Sequence, residues 1–185
     1  MEVEKEISFG NYTAIISFIV GTLIFGLYYL TSEMNILFVG AFYIIIAVIV
    51  NFLVLISIVI RAIKESKNRT KLLKTSGLLL LNIPVLIFYV WISLILLDTM
   101  RITFTNATEN KLTNINIVGC EAENISELEP NESKTVWVGI TGDCSIDINY
   151  IMNGHQKSEI VAGYVTGNMG QKMNHKIGGE NFIDF

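Results

Sequence analysis

The sequence is poor in charge, cysteine and histidine. Only 16% of its 185 residues are Asp, Glu, Lys or Arg, whereas soluble domains average about 25%. Two cysteines and two histidines make a zinc site unfavourable, because such a site takes several of these ligands at short spacing. The formal net charge of −4 argues against the basic surface of a nucleic-acid-binding protein. The composition therefore excludes a single soluble globule and a nucleic-acid binder, and it disfavours a zinc site.

Sequence motifs of enzymes are also absent. The chain contains no G-x-S-x-G, no H-E-x-x-H and no glycine-rich phosphate loop, which are signatures of hydrolases, metalloproteases and nucleotide-binding enzymes. Ser145 stands beside Asp143 and Cys144, but a hydrolase triad also needs a histidine that a third group orients. His155 and His175 are the only histidines. We therefore expect no enzymatic activity, no catalytic residues and no cofactor.

Three apolar runs are long enough to cross a bilayer, which takes about 20 helical residues. They cover residues 12–30, 36–60 and 77–97, and none contains Asp, Glu, Lys, Arg or His. A helix at the surface of a soluble core would show a polar stripe, and these runs show none. The sequence predicts a three-helix transmembrane domain over residues 12–99. Spans without ionisable residues disfavour a proton-coupled pump or a voltage sensor.

The basic residues predict how these spans are oriented. Short loops rich in Lys and Arg remain on the cytoplasmic side of a membrane. Six of the thirteen basic residues lie in the loop 61–75, namely Arg61, Lys64, Lys67, Arg69, Lys71 and Lys74. Residues 1–11 are therefore expected in the cytoplasm, and everything after residue 97 outside it.

Asparagine-based glycosylation motifs bear on the choice of membrane. Asn106, Asn124 and Asn131 would be glycan sites in a eukaryotic secretory pathway, but Asn11 and Asn68 carry the motif on or near the predicted cytoplasmic side. We interpret the motifs as accidents of an asparagine-rich chain. The predicted localisation is a bacterial inner membrane, with the C-terminal domain periplasmic or extracellular.

Two asparagines lie inside the spans. At about 1.5 Å per residue, Asn51 and Asn82 lie roughly 15 Å and 12 Å from the basic ends of their helices, so they can face each other. We expect an interhelical hydrogen bond, which contributes about 0.6 kcal/mol in membranes. A contact to a substrate or ion, or to another subunit, is the alternative. Pro84 is expected to kink the third helix, because it lacks the amide hydrogen that a helix requires.

Beyond the helices, the hydrophobic pattern changes to the period of two that is typical of half-buried strands. Asn153-Gly154 separates two such runs and predicts a type I′ hairpin. Six strands are predicted, over residues 101–105, 114–118, 134–140, 144–151, 157–165 and 171–177. They predict a small all-β domain over residues 100–178, an antiparallel sandwich or partly open barrel, followed by a flexible tail at 179–185. The expected core is Ile102, Phe104, Ile115, Ile117, Val136, Val138, Ile146, Ile148, Tyr150, Ile160 and Tyr164.

The two cysteines, Cys120 and Cys144, both fall in this β-domain. Outside the cytoplasm they can form a disulfide, which would close a loop of about 25 residues and contribute about 3 kcal/mol in the chain-entropy model. Two buried free thiols are the alternative. The acidic segment between them is read as a solvated face, with a weaker alternative in which some carboxylates bind a cation such as Ca²⁺. The candidate ligands are Glu121, Glu123, Glu127 and Glu129.

Three functional hypotheses follow. The favoured one is an interaction module or accessory subunit of an envelope complex, in which the three helices present the β-domain to a protein partner outside. Such a module would carry an exposed apolar or edge-strand surface. The second hypothesis is an oligomeric channel or transporter subunit, since three helices are too few to enclose a pore in one copy. The third is a membrane-anchored ligand sensor. The expected partners are the lipid bilayer, an external protein and, as an open alternative, further copies of the chain.

Overall fold

The computed structural model describes residues 2–181, in which three long helices precede seven strands. The predicted fold class, a helical bundle followed by a small all-β domain, is confirmed. The chain divides into two compact units, of which one ends at Ser93 and the other begins at Leu94. The predicted tail falls partly outside the described residues, from 182 onward, as does residue 1 of the predicted N-terminal segment.

The helices extend beyond the apolar runs at their polar ends. They are α1 (Glu2–Thr31), α2 (Met34–Lys64) and α3 (Arg69–Leu97), and a single 3₁₀ turn, Ser66–Asn68, separates the last two. At 29 to 31 residues, each exceeds the roughly 20 residues that a hydrocarbon core requires. All three are apolar enough to cross a membrane. Large apolar side chains cover their exposed surface, which is the composition that lipid tails favour.

The helices approach one another closely at Gly10 of α1. A Cβ atom at this position would collide with the side chains of Ile58 on α2 and Thr75 on α3. Apolar side chains from the three helices are buried around this contact: Val3, Ala14, Ile58, Ala62, Leu72 and Leu79. Small residues at such a point allow close backbone approach, which is how membrane helices gain packing energy.

The strands form two sheets. They are β1 (Thr99–Asn106), β2 (Leu112–Val118), β3 (Glu123–Leu128), β4 (Ser133–Gly139), β5 (Cys144–Met152), β6 (His155–Val165) and β7 (Lys172–Ile177). One sheet has the order β4-β1-β7 and the other β3-β2-β5-β6. The β1–β7 pair is parallel and the other pairs are antiparallel. A single apolar core contains residues from both sheets, so the unit is a sandwich.

Strand β3 is the element that the sequence pattern missed. It lies in the acidic segment, where Ile125 pairs with Ile115 and Leu128 pairs with Leu112, and all four side chains are fully buried. The two buried residues are three positions apart rather than two. Asn114 explains this spacing, because its positive φ of 48° interrupts the regular alternation of β2, and the register with β5 shifts at the same point.

The predicted core is right at nine positions and wrong at Ile160 and Tyr164, which are 65% and 55% exposed. Asp147 of β5 pairs with Ile160, but the residue before it, Ile146, pairs with Ala162. Val161 is therefore an extra residue in β6, as in a β-bulge. The register shifts a second time between Ile146 and Cys144, which pairs with Val165, and this second shift leaves Tyr164 outside the core. Buried β6 residues are Val161, Ala162 and Val165.

The hairpin between β5 and β6 has the predicted turn. Asn153 and Gly154 are the only residues between the two strands, and their φ angles are 53° and 76°. Two consecutive positive φ values define a type I′ turn, whose twist matches that of the flanking strands. The Asn-Gly motif therefore places β5 and β6 side by side, as predicted.

Candidate functional site

The sandwich is joined to α3 without a linker. Helix α3 ends at Leu97 and strand β1 begins at Thr99, which leaves Asp98 as the only connecting residue. The Ile140 amide donates a hydrogen bond to the Asp98 carbonyl at 2.8 Å, and the Asn168 amide donates one to Asp98 Oδ1 at 2.9 Å. Both the backbone and the side chain of Asp98 are therefore bound to loops of the sandwich.

The loop between β6 and β7 completes this junction. Its Gly170 amide donates to the Leu97 carbonyl at 2.7 Å, which satisfies one of the acceptors that a helix end leaves free. A Cβ atom on Gly170 would collide with the carbonyl groups of Leu96 and Leu97. The close approach therefore requires glycine. The last turn of α3 belongs to the same compact unit as the strands, so the sandwich and this turn form one body.

Strand β6 carries an exposed apolar surface. It is the last strand of its sheet and pairs only with β5 among the described residues. At 11 residues it is also longer than the other described strands. Ile160 and Tyr164 project from it into solvent. An exposed edge strand with apolar side chains is a template for binding another chain, so this surface matches the one that the interaction hypothesis predicts.

A polar network connects the two sheets beneath this edge. The Tyr150 hydroxyl on β5 donates to Glu159 Oε1 on β6 at 2.6 Å, and the Gly178 amide donates to the same oxygen at 2.9 Å. His175 Nε2 on β7 lies 3.1 Å from Glu159 Oε2. The His175 side chain is 3% exposed and its ring contacts Phe104 edge-on. The carboxylate of Glu159 therefore bridges three strands.

Burial and hydrogen bonding act on the ionisation of this network. Partial burial works to raise the pKa of Glu159, but hydrogen bonds from His175, Tyr150 and the Gly178 amide outweigh it and lower that pKa below its ordinary value. Burial and the hydrogen bond to Glu159 raise the pKa of Tyr150. Glu159 is thus held as a carboxylate and Tyr150 as a phenol.

The sequence did not reveal this network. Tyr150 was predicted as a core residue and His175 was considered only as a weak catalytic candidate. Finding it would have required knowing that β7 pairs with β1, which aligns His175 with Phe104. That pairing is parallel and joins the first strand to the last, so no local pattern in the sequence indicates it.

The predicted disulfide is present. Cys120 and Cys144 are bonded, with their Cα atoms 5.4 Å apart. The bond ties the turn that follows β2 to the first residue of β5. Glu121 lies next to this bond, and its carboxylate accepts a hydrogen bond from the Gly139 amide of β4 at 3.1 Å. The disulfide and this hydrogen bond together link strands of both sheets.

Two of the four carboxylates considered for a cation site are engaged by a lysine. Glu127 and Glu129 both bind Lys111, at 2.9 Å and 2.8 Å, and hydrogen bonds to Glu129 and Glu127 raise the pKa of Lys111. Glu121 is engaged by β4, and Glu123 lies on β3. Within residues 2–181, no three His, Cys, Asp or Glu side chains are grouped so as to hold a metal ion. This arrangement does not support the weaker alternative of a cation site, because a lysine neutralises two of the four candidate ligands.

The two asparagines of the membrane spans lie together. Asn82 Nδ2 donates to the Ala14 carbonyl of α1 at 3.1 Å and lies 3.4 Å from Asn51 Oδ1. Asn51 Nδ2 donates to Ser17 Oγ of α1 at 2.7 Å. Both amides are therefore occupied by contacts that join the three helices. Pro84 lies two residues further along, inside α3, and the kink expected there stays a prediction.

The six predicted topology determinants divide into two groups. Arg61 lies 3.3 Å from Glu2 and 3.5 Å from Glu6, both on α1. The other five are exposed: Lys64, Lys67, Arg69, Lys71 and Lys74. The acidic start of α1 therefore balances one cation of the basic loop.

Comparison with known proteins adds no function. No family model and no curated protein matches the chain. Among solved structures, the chain is similar to the NMR structure of a protein from Eubacterium rectale, with 16% identity, 42% of this chain and 74% of that chain covered, and a TM-score of 0.34. A similarity of this size establishes neither a fold nor a function.

Proposed function

We propose that the chain is a non-enzymatic membrane-anchored interaction module, an accessory subunit of an envelope complex in a bacterial inner membrane. The observation that carries the proposal is the junction at Asp98, where the sandwich is hydrogen-bonded to the last turn of α3. The sandwich is thereby held against the last turn of α3 instead of following a flexible linker. Preorganisation of this kind lowers the entropic cost of binding.

Three observations support the sandwich being outside the cytoplasm. The disulfide is typical of oxidising compartments. The basic loop favours the cytoplasm. The loop precedes α3 and the sandwich follows it, so a single crossing by α3 separates them. Disulfide and charge bias are independent features, and they favour the same orientation with the N-terminus in the cytoplasm.

Thiol labelling in intact cells tests this topology. Cys120 and Cys144 are the only cysteines of the chain, so an impermeant maleimide should label the protein only after an impermeant reductant has been added. A Ser66→Cys variant provides the control, since the thiol introduced into the basic loop should react only after the membrane is permeabilised. Labelling of Cys120 and Cys144 that requires permeabilisation but no reductant would place the sandwich in the cytoplasm and contradict the proposal.

Photocrosslinking in cells tests the interaction surface. A photoreactive amino acid at Ile160 should give a discrete covalent adduct with a protein partner. Lys134 on β4 is exposed and belongs to the other sheet, so the same probe there serves as the matched control and should give none. Equal adducts from both positions, or none from Ile160, would argue against β6 as the binding surface.

The channel or transporter alternative has less support. A conducting path would need polar groups that are free to contact the permeating solute. The amide groups of Asn51 and Asn82 are instead bound to each other and to α1. The junction with α3 also supports the sensor alternative, because it could transmit the effect of a ligand bound to the sandwich to the end of the helix. Reversed thiol labelling would favour that sensor.

A further inference from the structure

The basic loop carries more positive charge than the protein itself balances. Residues 64–74 contain five Lys and Arg side chains and one acid, Glu65, which gives a net charge of +4. The five cations are Lys64, Lys67, Arg69, Lys71 and Lys74, here called the basic surface. All five are exposed, and none forms a salt bridge with another described residue.

In contrast to the basic surface, Arg61 at the same end of the helices has acidic partners. It lies only three residues before Lys64, yet it is engaged by Glu2 and Glu6 of α1. Two of the acidic residues at this end, Glu2 and Glu6, are thus directed to Arg61. The basic surface is left to bind something other than this chain.

The position of the basic surface indicates what that is. The apolar part of α2 ends at residue 60 and that of α3 begins at residue 77. At about 1.5 Å per residue, Lys64 and Lys74 lie roughly 6 Å and 5 Å beyond the apolar segments. Those distances correspond to the headgroup region that flanks the hydrocarbon core. Clusters of four to eight basic residues immediately next to a transmembrane helix attract anionic lipids.

We propose that the basic surface binds the phosphate groups of anionic phospholipids in the leaflet next to it, in preference to zwitterionic lipids. Ammonium groups attract phosphate as point charges, and guanidinium groups form paired hydrogen bonds with it. Each cation close to an anionic membrane surface adds about a fivefold preference, which corresponds to about 1 kcal/mol. The loop thereby selects lipids for the protein, in addition to its role in topology.

Energy transfer from the loop to labelled lipids tests this proposal. The full chain with Ser66→Cys can carry one donor dye, because Cys120 and Cys144 are bonded to each other. It is reconstituted into vesicles that contain phosphatidylglycerol and phosphatidylcholine in both leaflets, so the orientation of insertion does not matter. Either lipid carries the acceptor dye. Transfer to phosphatidylglycerol should exceed transfer to phosphatidylcholine about fivefold or more at low salt, and should fall in 1 M NaCl, where the Debye length is about 3 Å.

Variants that lack one or all of the five cations identify the residues responsible for the lipid preference. Replacing all five cations of the basic surface by glutamine should abolish the preference, and Lys67→Gln alone should reduce it. Arg61→Gln removes one charge from the same region and is the matched control. It should leave the preference within about twofold, since Glu2 and Glu6 already balance Arg61.

Three outcomes would overturn the proposal. One is equal transfer to both lipids from the unmodified loop. Another is a preference that survives removal of all five cations, and the third is an effect of Arg61→Gln as large as that of Lys67→Gln. The intact disulfide and the circular dichroism spectrum of each variant show whether it is folded. Lys67→Gln keeps the proposal testable if the variant with five substitutions does not fold.

Discussion

Glu159 is a residue whose two carboxylate oxygens connect β5, β6 and β7. Hydrogen bonds to a charged group contribute more than neutral ones, about 1.5–3 kcal/mol each against about 0.5–1.5. Replacing the carboxylate by an amide keeps the size of the side chain but loses the charge. We therefore expect Glu159→Gln to lower the free energy of unfolding of the sandwich by about 1–3 kcal/mol, measured by denaturant unfolding of the full chain in detergent.

The same residue predicts a dependence on pH. Folding lowers the pKa of Glu159, so its carboxylate form stabilises the folded state. This contribution is present in full above the ordinary pKa near 4.5, and it is lost as the pH falls through the lower pKa of the folded protein. Below about pH 4.5 the wild-type chain should lose stability more steeply than Glu159→Gln. Glu129→Gln, at an exposed ion pair, is the control and should change stability by less than about 1 kcal/mol.

Two adjacent residues of β6 give a further prediction. Val161 is fully buried and Ile160 is 65% exposed. Val161→Ala should cost about 1.5 kcal/mol or more, from about 0.8 kcal/mol per buried methylene-sized group and the cavity that remains. Ile160→Ala should stay within about 0.5 kcal/mol of the wild type, as surface substitutions usually do. Equal losses at the two positions in denaturant unfolding would contradict the burial of Val161 and the exposure of Ile160.

At the scale of elements, the helices were predictable and the register of the strands was not. An uninterrupted apolar run is sufficient evidence for a membrane span, because nothing outside the run is needed to interpret it. A strand's buried face depends on its partners. Asn114 and Val161 each insert an irregularity that moves side chains to the other face. Alternation alone therefore failed at Ile160, at Tyr164 and over the whole of β3.

The disulfide acts between elements and gives a further prediction. Its half-cystines are 24 residues apart, a loop for which the chain-entropy model predicts about 3 kcal/mol. The Cys120→Ser/Cys144→Ser variant should lose about 2–4 kcal/mol of unfolding free energy, measured without reductant. A reductant should lower the stability of the wild-type chain by the same amount and leave the variant unchanged. A variant as stable as the oxidised wild type would show that the bond contributes nothing.

At the scale of the whole molecule, the sandwich contains its own core. Every residue of that core lies between Met100 and Ile177, and the two cysteines lie there as well. Domains of this size are marginally stable unless something reinforces them. Residues 98–185 expressed alone should therefore fold as a soluble, disulfide-bonded domain. Dispersed amide signals in an NMR spectrum under oxidising conditions would verify this, and a spectrum typical of an unfolded chain would contradict it.

The candidate site was predictable only in part at this scale. The pairing of Cys120 with Cys144 followed from there being just two cysteines in one domain. The polar network around Glu159 could not be found, because it requires β7 to lie beside β1, at the opposite end of the domain in sequence. The junction at Asp98 depends on Ile140 and Asn168, which are 42 and 70 residues further along the chain. Contacts over such distances leave no local pattern.

The absence of a linker at Asp98 makes the end of α3 part of the hydrogen-bond register of the sandwich. The Leu97 carbonyl accepts from the Gly170 amide, and the adjacent Asp98 binds Ile140 and Asn168. A helix turns by about 100° and rises by about 1.5 Å with each residue. One residue inserted between Leu97 and Asp98 would therefore separate the two sets of contacts by that rotation and rise, so that they could no longer form together.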